Sequence, residues 1–124
     1  MKKTIFILVL VSVFSLLFVL SGCGPNPGIY GKPLTETKAT AIASVLKAPD
    51  KFIGHVIRLE GKIIQECPAG GWFMLKDDTG VIFVDLHPSE IAIPQAVNHR
   101  VAVQGKVKND SSQVFVIGEG VELK

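Results

Sequence analysis

Three histidines and one cysteine, His55, Cys67, His87 and His99, are the borderline or soft metal ligands spread through the body of this 124-residue chain. A tetrahedral site needs three or four such groups in one place, and their ordinary sequence signature is short, paired spacing. Here the intervals are 12, 20 and 12 residues, which match no metal motif. The histidines are therefore expected as separate surface groups, the thiol as half-buried, and no metal or other cofactor is assigned. The carboxylates Asp77 and Asp78 stand side by side before Thr79-Gly80, where the ordinary work of an aspartate is to accept backbone hydrogen bonds in a tight turn. General acid–base chemistry would need a pocket that shifts a pKa, and nothing in the sequence indicates one. The chain has no nucleophile elbow, no phosphate-binding glycine loop and no HExxH. No catalytic residue is assigned, and an enzyme is not expected.

Cys23 is the residue with the clearest chemical context. Lys2 and Lys3 precede a 16-residue apolar run, Ile5 to Leu20, interrupted only by Ser12 and Ser15. That run is shorter than the roughly 18 to 20 apolar residues of a membrane span and suits an export signal. Leu20-Ser21-Gly22-Cys23 then resembles the lipobox of bacterial lipoproteins. The resemblance implies a diacylglyceryl group on the Cys23 thiol, cleavage just before it, acylation of the new amino terminus, and a mature chain anchored to a membrane by lipid. Residues 1–22 are then the signal peptide. Gly24 is not the aspartate that resembles an inner-membrane retention signal, so the implied address is the outer membrane where one exists, and otherwise the outer face of the cytoplasmic membrane. With Cys23 lipidated, Cys67 has no partner within the chain, and an intrachain disulfide is excluded.

Charge narrows the partners. Lys2 and Lys3 leave with the signal peptide, so 11 of the 13 basic residues remain against 11 acidic ones. Within residues 50–124 there are 8 basic and 10 acidic residues, the basic ones spread over the first, second and fourth expected strands and the segments flanking the strands. Such a chain offers no electrostatic footprint for a polyanion, and a nucleic-acid partner is not expected. The 102 residues from Cys23 onward suffice for one small core.

Residues 23–34 carry Pro25, Pro27, Gly28, Gly31 and Pro33 and are expected to be a flexible tether, with the folded domain at 35–124. Thr35 or Thr37 can cap a helix running to about Lys47, with Ile42, Val45 and Leu46 as its apolar stripe and Pro49 after its end. From Gly54 the periodicity changes to two. Ile57, Leu59 and Ile63 alternate with charged residues in a long strand with Gly61 inside it, where a glycine marks a bend. Trp72 to Asp77 and Val81 to Leu86 form a hairpin about the Asp77–Gly80 turn. Residues 87–94 hold two prolines and at most a short turn of helix. Arg100 to Lys108, with Val101, Val103 and Val107 inward, and Gln113 to Ile117 complete five strands.

A long bent strand, a hairpin, a non-strand connection and a second hairpin give an all-β chain in the strand order of the OB-fold, a five-stranded Greek-key barrel, here with one N-terminal helix. The segments FIGHVIRLEGKI, GGWFMLKDDTGVIFVDL and HRVAVQGKV resemble small exported bacterial OB-fold proteins over roughly residues 38 to 118. These include the periplasmic BOF-type stress proteins and an uncharacterised group with a C...GCW element. Gly71 of CPAGGW stands where that group has its second cysteine, so no cysteine-pair role carries over.

Hairpin pairing puts Phe73, Leu75, Ile82 and Val84 on one face and Trp72, Met74 and Phe83 on the other. With the first set inside the barrel, the second lies on the sheet where OB-folds commonly hold ligands. The alternative is that the helix or the C-terminal tail covers Trp72 and makes it core. The expected function is a non-catalytic, lipid-anchored binding module of the cell envelope for a protein, peptide or glycan. The alternatives are a structural or stress-related envelope protein without a small ligand, and an oligonucleotide-binding domain.

Overall fold

The computed structural model describes residues 3, 4 and 27–124, so Cys23 and the lipobox lie outside the described residues. Six strands run in chain order: β1 (Gly28–Gly31), β2 (Val56–Glu66), β3 (Trp72–Lys76), β4 (Val81–Asp85), β5 (Arg100–Asn109) and β6 (Val114–Leu123). A short helix, α1 (Ile42–Lys47), lies between β1 and β2, and one-turn 3-10 helices occur at Pro49–Lys51 and His87–Ser89. Strands β2, β3, β4, β6 and β5 pair in that cyclic order, and β5 pairs back onto β2, which closes a five-stranded barrel. Every contact around it is antiparallel except β4 with β6.

The alternation read from the sequence fills the interior as expected. Phe73, Leu75, Leu59, Ile63, Val84, Val103, Val107 and Val116 are fully buried, joined by Ile57, Ile82 and Val101. Strand β2 is long enough to serve two neighbours: its first part pairs with β5 and its second with β3, with a bulge between Ile63 and Gln65. Gly61 sits at the crossover. A Cβ there would lie 2.4 Å from the Lys76 carbonyl oxygen, so only glycine lets the bent strand pass this close to β3.

Three elements depart from the sequence reading, each because of a partner remote in sequence. Gly28–Gly31, expected as part of the flexible tether, is a strand paired with Gly120–Leu123 of β6. Its backbone groups find an open ladder there, and Tyr30 packs against the core. Neither Thr35 nor Thr37 caps the helix. The segment after β1 instead crosses the outside of β5 and β2: the Thr35 and Glu36 N–H groups both donate to Gln104 Oε1 at 2.8 Å, and the Thr40 N–H donates to the Arg58 carbonyl at 2.8 Å. Gln104, only 7% exposed, is covered by this strap, and β5 is buried on both faces over residues 101–105. The helix is confined to Ile42–Lys47, with Ile42 and Val45 buried and Leu46 39% exposed. Finally, β6 continues past Ile117 to Leu123. Gly120 is what permits it, since a Cβ would meet the Lys32 carbonyl at 2.1 Å.

Candidate functional site

The register around the barrel fixes which outward side chains are neighbours. Across β3, β4 and β6, Met74 faces Phe83 and Phe83 faces Phe115; one step along, Trp72 faces Asp85 and Asp85 faces Ile117. Trp72, Met74, Phe83, Phe115 and Ile117 are all half-buried on the outer face, whereas their strand neighbours Phe73, Leu75, Ile82, Val84 and Val116 are inside. The Trp72 and Phe83 rings pack with centroids 5.5 Å apart and planes inclined at 41°, a tilted pair that stiffens the strip. Neither α1 nor the C-terminal tail turns Trp72 into core.

Phe115 and Ile117 join Trp72, Met74 and Phe83 through the parallel pairing of β4 with β6, a contact between positions 32 residues apart that no local pattern announces. Lys108 and Lys106 of β5 lie opposite Phe115 and Ile117 and border the strip. Lys106 has Glu119 at 3.9 Å. Between Trp72 and Ile117, within the strip, Asp85 Oδ1 accepts the His87 N–H at 3.0 Å, with His87 Nδ1 at 2.9 Å.

A second feature lies on the outside of β2. A groove of about 570 Å³ has Glu60, Gly61, Lys62 and Ile64 as its floor, residues 39–41 along one side, and Lys76, Asp77, Asp78, Asn98 and Arg100 around the rest. Lys62 is directly opposite both Lys76 and Arg100, so three basic side chains stand abreast on three adjacent strands. From the sequence these residues were separate charges on separate strands; the register gathers them.

The carboxylates of the groove are already engaged. The Arg58 guanidinium bonds Glu60 Oε1 through Nε and one terminal nitrogen, at 3.0 and 2.8 Å, and holds the Glu60 carboxyl below the usual carboxylate range against partial desolvation. Asp77 behaves as the turn residue expected and more. Its Oδ1 accepts from the Thr79 N–H, the Thr79 hydroxyl and the Gly80 N–H at 2.7, 2.6 and 2.9 Å, while its Oδ2 accepts the Ile42 N–H at 2.9 Å. Desolvation raises the Asp77 pKa and these donors outweigh it, so the carboxyl titrates below its ordinary value.

Of the candidate ligands, His55 and His87 are exposed, and His99 and Cys67 are half-exposed on different loops. Among the described residues no three histidine, cysteine or acidic side chains come together in a way that could hold a metal ion. No described helix is long and apolar enough to cross a membrane.

No family model matches the chain, and no curated protein does. Among solved structures the chain is similar to the hypothetical protein ygiW from E. coli, at a TM-score of 0.54 and 21% sequence identity, over 71% of this chain and 91% of that one. At that identity the likeness bears on the fold alone. Together with the closed five-stranded order and the single helix, it identifies the chain as an all-β barrel of the OB type.

Proposed function

We propose that this chain is a lipid-anchored binding module of the cell envelope, without catalytic activity, whose ligand is a polypeptide seated on Trp72, Met74, Phe83, Phe115 and Ile117. The observation that carries the reading is the strip itself: five apolar side chains contiguous across three strands, each keeping part of its surface in solvent. Scattered apolar residues on a surface need no explanation, but five on three adjacent strands, gathered around Asp85 and including a packed aromatic pair, have the composition of a contact surface. Two phenylalanines, a methionine and an isoleucine around one tryptophan suit apolar side chains of a polypeptide better than a sugar, whose ring needs a flat, fully presented aromatic face. The export signal and Cys23 support the envelope address.

Trp72 is the chain's single tryptophan, so its emission reports on this face directly. In pull-downs from envelope extract, the protein is expected to retain a partner that shifts Trp72 emission on binding. Both Trp72→Ala and Phe83→Ala should weaken retention about thirty-fold, the effect of losing a hot-spot side chain worth about 2 kcal/mol. Retention unchanged in both variants, with their folds intact, would exclude this face as the ligand site.

A further inference from the structure

The row Arg100, Lys62 and Lys76 is energetically odd. Directly opposed side chains in an antiparallel ladder have Cβ atoms about 4.5 to 5.5 Å apart, and like charges at that distance repel. All three residues are exposed, and no carboxylate lies within ion-pair distance of any of them among the described residues. The nearby acids do not neutralise them. Asp77 is committed to four hydrogen-bond donors and Glu60 to Arg58 and Lys124, which leaves Asp78 as the free carboxylate among the residues lining the groove. Beside the row Ile64 is 42% exposed.

The way the chain enters the barrel gives this row a direction. Gly28 pairs with Leu123, and the Lys124 N–H donates to the Arg100 carbonyl at 3.2 Å. The point of entry is thus two strand spacings, about 10 Å, from Arg100. Cys23 is five residues before Gly28, a stretch that spans at most about 18 Å fully extended. Ile29, next to the entry, is 56% exposed.

We propose that the Arg100–Lys62–Lys76 row is a docking face for the phosphate groups of anionic membrane lipids, with Ile64 reaching the boundary between headgroups and acyl chains. Uncompensated cations beside an exposed aliphatic side chain match the chemistry of such an interface. The orientation rests on the lipid-anchor reading; the affinity for phosphate headgroups does not.

The test uses the chain from residue 23 onward with Cys23→Ala, so that no acyl group contributes, its fold confirmed by circular dichroism. Co-sedimentation is measured with vesicles of phosphatidylcholine alone and of phosphatidylcholine mixed with phosphatidylglycerol. Binding is expected only to the anionic vesicles, weakening with salt and about five-fold for each of Lys62→Gln, Lys76→Gln and Arg100→Gln. Removing the repulsion should also leave the melting temperature equal or higher in these variants. Equal partition onto both vesicle types, or a triple variant that binds like wild type, would overturn the proposal. So would saturation by inorganic phosphate without vesicle binding, which would assign the row to a free ligand, or tighter binding to a single-stranded oligonucleotide than to vesicles. Because the acyl group is absent, a failed anchor and a failed docking face are separate results.

Discussion

Asp77 shows how much one side chain can organise. Its two oxygens close the β3–β4 turn and hold the first N–H of α1, and Thr79 Oγ1 accepts the next, from Ala43, at 3.0 Å. The helix has no capping side chain of its own at Ala41. Asp77→Ala is therefore expected to cost about 2 kcal/mol in urea unfolding, the upper end of a lost cap, because turn and helix lose their acceptor together. The pH dependence follows from the direction of the shift. A carboxyl held below its ordinary value contributes fully above the usual carboxylate range and loses that contribution as pH falls through its folded-state value, so the acid limb of wild-type stability should be steeper than that of Asp77→Asn. The turn role was legible in Asp77-Asp78-Thr79-Gly80; the bond to Ile42 was not, since nothing local places residue 42 beside residue 77. Cys23 belongs to the same scale. Cys23→Ala should yield a precursor that is neither lipidated nor cut before residue 23, and equal labelling of wild type and variant by radiolabelled fatty acid would contradict it.

Among the elements, β5 was legible from its β-branched run Val101, Val103 and Val107 although its outer face is buried too, and β2 to β4 were legible because one face of each is buried and alternation records it. Gly61 was legible as a bend for the same reason. The ends of the chain were not. Residues 28–31 offer only Ile29 and Tyr30 between two glycines, too short a run for alternation to show, and only the open ladder of β6 makes them a strand; Gly118 and Gly120 resemble breakers until Lys32 is seen passing over the latter. Residues 35–41 fold as a strap because Gln104 receives them. A fragment beginning at residue 35 should accordingly melt cooperatively as a mainly β domain, yet several degrees below one beginning at residue 27, since it forfeits the β1–β6 ladder. Equal melting temperatures would show that β1 adds nothing to the closed barrel.

For the molecule as a whole, the balance of charge matters more than any single cation. Lys106 and Lys108 border the aromatic strip, and Lys62, Lys76 and Arg100 line the groove, but Asp78, Asp85 and Glu119 are interspersed. Few phosphates of a flexible strand could be neutralised at once. Fluorescence anisotropy with a labelled single-stranded oligonucleotide is expected to give a Kd no tighter than the roughly 10⁻⁶ to 10⁻⁴ M of non-specific association. Sub-micromolar binding with a steep salt slope would show that the strip and the basic row act together as a track for nucleic acid. The strip itself was half legible. Trp72, Met74 and Phe83 follow from a hairpin of adjacent strands, whereas Phe115, Ile117 and the basic row depend on the register of strands far apart in sequence.

The pairing of β1 with β6 also bears on how the polypeptide acquires its shape. Strand β1 finds its partner only in β6, Gly28 against Leu123, and β4 likewise waits for Phe115 to Ile117. Contacts between distant segments carry a large loop-closure entropy, and barrels dominated by them fold on a timescale of milliseconds to seconds. A chain synthesised amino end first cannot complete this topology until β6 is free, so the barrel closes only after β6 has been made, and β1 must await it to be held in place.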